Sequence, residues 1–351
     1  MPCYHPLKGF AIGKTDKGKT QYKIVSYDVT SVQLIDGNWI PFSGPVFRSD
    51  KAQKMVAQSV TIPCGKCLGC RLEYSRQWAN RCMLELGYHE SSWFVTLTYD
   101  DAHLPRSFYG NPDTGEAVPC ATLYKRDFQL FMKRLRFKFG VGIRFYAAGE
   151  YGDQTKRPHY HAIIYGLELD DLVFYKKMAL ESANLYYNYY NSESLQSCWR
   201  DKDGNDIGFV VVGKVTWETC AYVARYIMKK QKGQGADIYE KFNIEPEFCL
   251  MSRKPGIAHQ YYEDHPEMWD YDKINISTPN GGRSFRPPQY FERLFDVDCP
   301  DLSSARKKKK NEAAKSAEKI KKRLTDKSYS DIMITEENVK RNRTKKLRRI
   351  L

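Results

Sequence analysis

Two histidines stand two residues apart in Arg157-Pro158-His159-Tyr160-His161, and the apolar run Ala162-Ile163-Ile164-Tyr165 follows them. Residues two apart in a strand face the same side, so this run predicts a strand presenting both imidazoles together. Paired imidazoles suit a divalent ion; two surface histidines on an edge strand are the plainer alternative. A second pattern lies in Cys220-Ala221-Tyr222-Val223-Ala224-Arg225-Tyr226-Ile227-Met228-Lys229-Lys230. On a helix, Tyr222 and Tyr226 lie one turn apart on one face. Lys229 or Lys230 continues that face, with Lys230 closer to the stripe shared by both phenols. Val223 and Ile227 form their own apolar stripe, so the helix can bury that side and still present the phenols; a core-facing aromatic stripe is the competing reading. A phenol with a pKa of about 10 is a poor nucleophile unless a metal or cation offsets the charge of attack. Together these residues describe phosphodiester transesterification. A metal on two histidines polarises the phosphate, a tyrosine attacks and becomes linked to the nucleic acid, a lysine offsets developing charge, and a second tyrosine permits a second transfer.

A third group is Pro63-Cys64-Gly65-Lys66-Cys67-Leu68-Gly69-Cys70-Arg71. Closely spaced cysteines with intervening glycines fit a metal knuckle, because the turn lets thiolates converge on one ion. A structural zinc takes four ligands, and Cys3, His5 and Cys82 compete for the fourth place. A redox dithiol and three reduced thiols are the alternatives. Ten cysteines in 351 residues are far too few for a disulfide scaffold.

These groups need elements to hold them. Tyr22 to Trp39 alternates as one or two short strands with a turn at Asp36-Gly37-Asn38. Leu68 to Leu86 reads as a helix, Trp93 to Tyr99 as a strand, and Pro105 to Pro119 as a loop. Tyr124 to Phe139 is an amphipathic helix, with Phe128, Phe131 and Leu135 on one face. Ile143 to Ala148 and Tyr160 to Tyr165 read as neighbouring antiparallel strands, Phe209 to Val215 as a further strand, and Glu218 to Lys230 as a helix. The stretch from Gly166 to Gly208, rich in Tyr, Asn and Ser, reads as an insertion with a helix near Leu172 to Leu185. The irregular Ala236 to Arg286 region precedes a short helix, Gln289 to Phe295. The body is thus an α+β protein with a largely antiparallel sheet. Its organisation reads as an amino-terminal Cys-cluster and helix region at 1–90, a core at 91–235 with an insertion at 167–208, an accessory region at 236–300 and a basic, largely exposed tail at 301–351.

The chain carries 56 Lys and Arg against 42 Asp and Glu. Asp301 to Leu351 alone holds 18 basic and 7 acidic side chains, so most of the excess sits there. Such a tail suits a polyanion, most often nucleic acid; a solubilising tail is the alternative. A composition 42% hydrophobic supports a real core. No run approaches the length of a membrane helix, no secretory leader pattern is expected at the amino terminus, and no Walker motif marks an ATPase.

Several stretches resemble one family. Met1-Pro2-Cys3-Tyr4-His5-Pro6, Pro63 to Arg71 with Ser75-Arg76-Gln77-Trp78, Phe94-Val95-Thr96-Leu97-Thr98-Tyr99-Asp100, Gly149-Glu150-Tyr151-Gly152, Arg157 to His161, Tyr222 to Lys230 and Ser252-Arg253-Lys254-Pro255-Gly256 occur in the order found in replication initiation proteins of microviruses. The resemblance looks closer still to the gokushovirus branch of these single-stranded DNA phages, within the HUH endonuclease superfamily. The middle Tyr160 departs from a strictly aliphatic residue, but it points to the opposite face. The resemblance implies an RRM-like, five-stranded antiparallel sheet with flanking helices and a Mg or Mn ion. It implies nicking of the double-stranded replicative form at its origin, leaving a 5′-phosphotyrosine and a 3′-hydroxyl primer, followed by rejoining of the single-stranded viral circle. Host helicase and polymerase are its implied partners, the host bacterial cytoplasm its location, and no membrane is involved. Glu150, where the strand before the histidines ends, is the third metal ligand expected, with Asp100 or Asp101 as the alternative. Arg157 is a candidate DNA contact. The rival classes are a non-catalytic nucleic-acid-binding or packaging protein and, within the same chemistry, a plasmid relaxase.

Overall fold

The computed structural model describes residues 3–344 apart from 17, 19, 181–184, 226–229, 231–232 and 279–280. Two compact units divide it. One joins the chain up to Glu73 with the chain from Leu294 onward; the other is built on Tyr74–Arg293.

The first unit opens with six short strands: β1 (Leu7–Lys14), β2 (Thr20–Ser26), β3 (Val29–Ile35), β4 (Asn38–Ser43), β5 (Lys54–Val56) and β6 (Ser59–Ile62). They form two three-stranded sheets, ordered β2-β1-β6 and β4-β3-β5. The Asp36-Gly37 turn joins β3 to β4, as the sequence pattern predicts. The hydrophobic cluster that these strands bury is small, namely Phe10, Val29 and Val32. Helix α1 (Leu68–Leu86) begins in this unit.

The second unit is organised by one antiparallel sheet. Its strands are β7 (Ser92–Leu97), β10 (Arg144–Tyr151), β11 (Pro158–Tyr165), β12 (Val173–Leu180), β13 (Leu185–Asn191), β14 (Val210–Lys214) and β15 (Phe248–Met251), in the order β12-β13-β14-β7-β11-β10-β15. A hairpin, β8 (Arg106–Gly110) with β9 (Ala117–Ala121), stands apart. It occupies the stretch expected to be a loop. Helix α2 (Lys125–Phe139) covers one face with Phe128, Phe131, Met132 and Leu135, which pack on Val95, Leu97, Tyr160, Ala162 and Ile164. Each such buried side chain contributes about 1.5–3 kcal/mol. The other face is covered by the end of α1 and by α4 (Trp217–Arg225), through Trp78, Cys82, Cys220 and Val223 against Phe94, Tyr146, Ile163 and Tyr165. A short α3 (Glu193–Gln196) precedes β14.

Covering both faces accounts for β11, whose residues from Tyr160 to Tyr165 are all buried. Even-numbered side chains face α2, and odd-numbered ones, His159 and His161 among them, face α4. Tyr160 accordingly lies on the α2 side, bonding Tyr99 Oη (2.8 Å) and the Tyr124 carbonyl (2.8 Å).

Two sequence expectations are corrected. The resemblance implies five strands, whereas the sheet has seven among the described residues, with β12 and β13 added at one edge. The helix expected near Leu172 to Leu185 is this β12–β13 hairpin. The local Leu-Glu-Ser-Ala pattern favours a helix, but the flanking Val-Phe-Tyr and Tyr-Tyr-Asn-Tyr-Tyr runs favour pleated pairing, and β14 offers them an edge.

Close approach is enforced at Gly208, with φ +155°, where an added Cβ would lie 1.9 Å from the Thr98 carbonyl oxygen. We expect Gly208→Ala to separate the ends of β7 and β14. The loss should be roughly 2–4 kcal/mol, read as a fall in the urea midpoint relative to the parent protein.

Helix α5 (Asp237–Lys241) precedes β15; after β15 come α6 (His259–Asp264), α7 (Met268–Tyr271), the paired strands β16 (Ile274–Thr278) and β17 (Gly281–Phe285), and α8 (Gln289–Asp298). Arg81, buried between Trp78 and Tyr290, bonds the Ile257 carbonyl, and Arg144 bonds those of Pro255 and Gly256. Returning to the first unit, the chain ends in α9 (Pro300–Arg323) and α10 (Tyr329–Thr344). The basic segment from 301 onward, a Lys/Ala/Glu-rich helix former by sequence, accordingly forms these two helices. Helix α9 is exposed along most of its length, whereas α10 buries Met333 and Glu337. No helix among the described residues is long and apolar enough to cross a membrane.

Candidate active site and metal centres

Antiparallel register places Glu150 of β10 directly opposite His159 of β11, and Ala148 opposite His161. Side chains of register partners share a face, so Glu150 joins both imidazoles on the α4 side. Strand β10 runs to Tyr151, further than the sequence pattern indicates, so Glu150 lies within the strand. Its Oε1 lies 2.7 Å from His159 Nε2 and 3.3 Å from His161 Nε2. The three donor atoms fall within 4.8 Å of one another, and Glu150 is 2% exposed.

The outer nitrogens are held as well. His159 Nδ1 lies 3.1 Å from the Arg157 carbonyl; a carbonyl only accepts, so Nδ1 carries the proton there. His161 Nδ1 lies 2.9 Å from Thr96 Oγ1. Second partners of this kind fix the tautomer that leaves Nε2 for a metal. A lone pair on Nε2 and a carboxylate oxygen cannot sit 2.7 Å apart without positive charge between them, either a proton or a cation. Burial pushes the Glu150 carboxyl up, but hydrogen bonds from His159 and His161 outweigh it and hold it well below the usual carboxylate range. Two imidazoles and one carboxylate fit a divalent cation that accepts mixed nitrogen and oxygen ligands.

Helix α4 aims a phenol at this centre. Thr216 and Thr219 exchange bonds, Thr216 N–H to Thr219 Oγ1 (2.8 Å) and Thr219 N–H to Thr216 Oγ1 (3.2 Å). This reciprocal cap fixes the start of α4. With Cys220, Val223 and Ala224 buried on the sheet, Tyr222 turns toward His161. Their ring centroids are 5.2 Å apart, nearly perpendicular, and Phe94 stacks on the same imidazole at 5.5 Å.

A family profile described as Replication-associated protein ORF2/G2P matches residues 92–231, the stretch that holds β7, β11 and α4. The Replication-associated protein ORF2 of Spiroplasma virus 4 is 32% identical over 317 residues, covering 88% of this chain and 91% of that protein. The chain belongs to the HUH-superfamily replication-associated proteins. The Replication-associated protein VP4 of Bdellovibrio phage phiMH2K is 31% identical over 73% of this chain and 74% of its own length. The Replication-associated protein ORF4 of Chlamydia phage 1 is 30% identical over 49% of this chain and 39% of its own. No solved structure matches the chain.

Of the other residues singled out in this replication-associated protein, Tyr226 and Lys229 lie outside the described residues. Lys230 is exposed. Its charge reaches Cys249, whose thiol burial pushes up to about 11 against the opposing pull of Tyr146 and Lys230. Cys249 pairs with Ala148, itself opposite His161. Arg157 is engaged elsewhere, in an ion pair with Asp101 and a 2.9 Å bond to the Tyr99 carbonyl. Asp100 pairs with His103, so neither aspartate weighed as third ligand joins the histidines.

The second centre brings together Cys3, Cys64, Cys67 and Cys70, with sulfurs within 4.8 Å of one another. His5 instead bonds Glu337 at 2.6 Å, and Cys82 is buried in the other unit's core. Backbone amides converge on the sulfurs. Tyr4 N–H reaches Cys67 Sγ (3.3 Å), Cys64 N–H reaches Cys3 Sγ (3.2 Å), and Cys67 N–H reaches Cys64 Sγ (3.3 Å). Gly65, at φ +72°, makes the tight turn this needs. Hydrogen bonds from Cys3 and Cys70, and amides beyond them, hold the Cys67 thiol well below its usual range. Four sulfurs so arranged fit a tetrahedral thiophilic ion.

Sequence reasoning missed Thr96 and Phe94 as parts of the site. The signal was the period-two alternation Phe94-Val95-Thr96, which places both on one face of β7; Thr96 lies opposite His161.

Proposed function

We propose that the protein is a replication initiator of the gokushovirus-like kind, nicking viral DNA at the origin by tyrosine transesterification and later rejoining the circle. The observation that carries this is Tyr222 packed against His161 of the Glu150–His159–His161 cluster. Glu150, His159 and His161 would hold Mg or Mn, and the bound cation would supply positive charge to the scissile phosphate. Tyr222 Oη forms a bond to phosphorus, the bond from phosphorus to the 3′-oxygen breaks, and the phenol proton is balanced by the one the 3′-oxygen takes up. The products are a 5′-phosphotyrosine and a 3′-hydroxyl. Phe94 and Val223 keep the imidazole and the helix in place, and Lys230 offsets charge on the phosphate. Tyr226 is proposed for the second transfer. Cys3, Cys64, Cys67 and Cys70 are proposed to hold zinc. The exposed Lys307 to Lys310 of α9 suit the phosphate backbone of the replicative form, and host helicase and polymerase complete the proposed machinery.

The test is transfer of label from an internal phosphate of single-stranded viral DNA to the protein, followed on a denaturing gel with Mg or Mn. We expect metal-dependent labelling, reduced in Tyr222→Phe or Tyr226→Phe and absent in the double variant. A double variant that labels as the parent does would overturn the assignment and leave a nucleic-acid-binding or packaging protein.

A further inference from the structure

The face of the sheet that carries the histidines continues beyond them. On β7, Thr96 lies opposite His161; on β14, Val211 lies opposite Thr96. One step along, Phe209 and Thr98 are joined by three bonds, Thr98 N–H and Oγ1–H to the Phe209 carbonyl (3.0 and 3.1 Å) and Phe209 N–H to Thr98 Oγ1 (3.2 Å). Strand alternation therefore puts Phe209 on the histidine face, in the row that runs His159, Thr98, Phe209. Two strand spacings, about 10 Å, separate the backbones of His159 and Phe209.

Phe209 is 48% exposed and Tyr175 45% exposed. Their ring centroids lie 5.6 Å apart at 53°. Tyr175 reaches this position because β12 bulges between Phe174 and Lys176, which re-aims its side chain. Lys176 Nζ lies 5.2 Å from the Tyr175 centroid. Beside Phe209 a cavity of about 450 Å³, lined by Thr98, Asn191 and Gly208 among others, leaves room next to the ring. Large aromatic rings held half in solvent by a rigid strand end, with a cation beside them and a polyanion-cleaving centre in the same row, match one ligand chemistry. Bases of a single strand stack on such rings, and the lysine serves their phosphates.

We infer that Phe209 and Tyr175 form a stacking platform for nucleobases of single-stranded DNA flanking the scissile phosphate. This rests on the reading of the histidine face as the nucleic-acid face. The platform holds unpaired bases and thereby sets the position of the phosphate against Tyr222; it takes no part in bond making.

The experiment compares two fluorescein-labelled strands about 15 nucleotides long, oligo(dT) and an abasic strand of equal length, by anisotropy at physiological salt with chelator present. The parent protein should bind oligo(dT) about tenfold or more tightly than the abasic strand. Phe209→Ala and Tyr175→Ala should each weaken oligo(dT) binding about 5- to 150-fold and leave the abasic strand unchanged. Phe209→Trp should restore binding, which excludes misfolding as the cause. Equal affinity of the parent for both strands, or alanine variants that keep the preference, would overturn the platform. Chelator prevents cleavage, so this outcome is separate from that of the nicking reading, which stands or falls on label transfer with the tyrosine variants.

Discussion

Glu150→Ala and His161→Ala proteins transfer label to themselves at about a thousandth of the parent rate or less in single-turnover reactions with Mn. Glu150 contributes the one formal negative charge of the cluster, and its Oε1 approaches both Nε2 atoms. Removing it leaves two neutral imidazoles, which bind a hard ion weakly. Removing His161 leaves one imidazole and a buried carboxylate with half its partners. The fold tolerates the first change better, because His159 and His161 keep the Arg157 carbonyl and Thr96. A second readout follows by mass action. Mn at a hundredfold excess over its dissociation constant should stabilise the parent by about 2.7 kcal/mol, and the Glu150→Ala protein hardly at all. DNA affinity measured with chelator should be unchanged in both variants. Parental transfer by Glu150→Ala would place the reacting metal elsewhere.

Loss of the tetrathiolate centre unfolds the amino-terminal unit. The hydrophobic cluster that its strands bury is Phe10, Val29 and Val32, few residues for two small sheets. A structural zinc in such a setting contributes about 10–16 kcal/mol of apparent binding energy, comparable to or above the whole stability of a domain, about 5–15 kcal/mol. Purified protein is expected to carry one zinc per chain by elemental analysis, and Cys3→Ser or Cys67→Ser to carry background levels. Limited proteolysis should then cut the variants before Glu73 and spare Tyr74–Arg293. If metal-free parent protein has four freely reactive thiols and an unchanged protease pattern, zinc has no structural role.

Much of this was legible because the periods are strong. Leu68 to Leu86 was bounded to the residue, and alternation in β11 gave the shared face of His159 and His161. Spacing also gathered Cys64, Cys67 and Cys70. Register was not legible. Nothing local says that Glu150 lies opposite His159, since the turn at Gly152 to Arg157 decides that pairing. The fourth ligand was open among Cys3, His5 and Cys82 because only tertiary packing brings Cys3 back to the knuckle. The β12–β13 hairpin was misread because its pairing partner, β14, is remote in sequence and local propensity alone favoured a helix.

Glu337 of α10 reaches the first turn of α1. Its Oε1 accepts the Leu68 N–H at 2.9 Å, and its Oε2 pairs with His5. A buried carboxylate at a helix start satisfies an amide that otherwise lacks a partner. The group that completes this corner is made 269 residues after the helix start it caps. The stretch from Leu294 to Glu337 alone takes about 2–9 s to translate, and through that time the amino-terminal strands, synthesised earlier, wait without their cap. Order of synthesis and order of closure run opposite to each other in this unit. A chain cut short before α10 emerges with its seven-stranded sheet encoded in full and its amino-terminal unit unsealed.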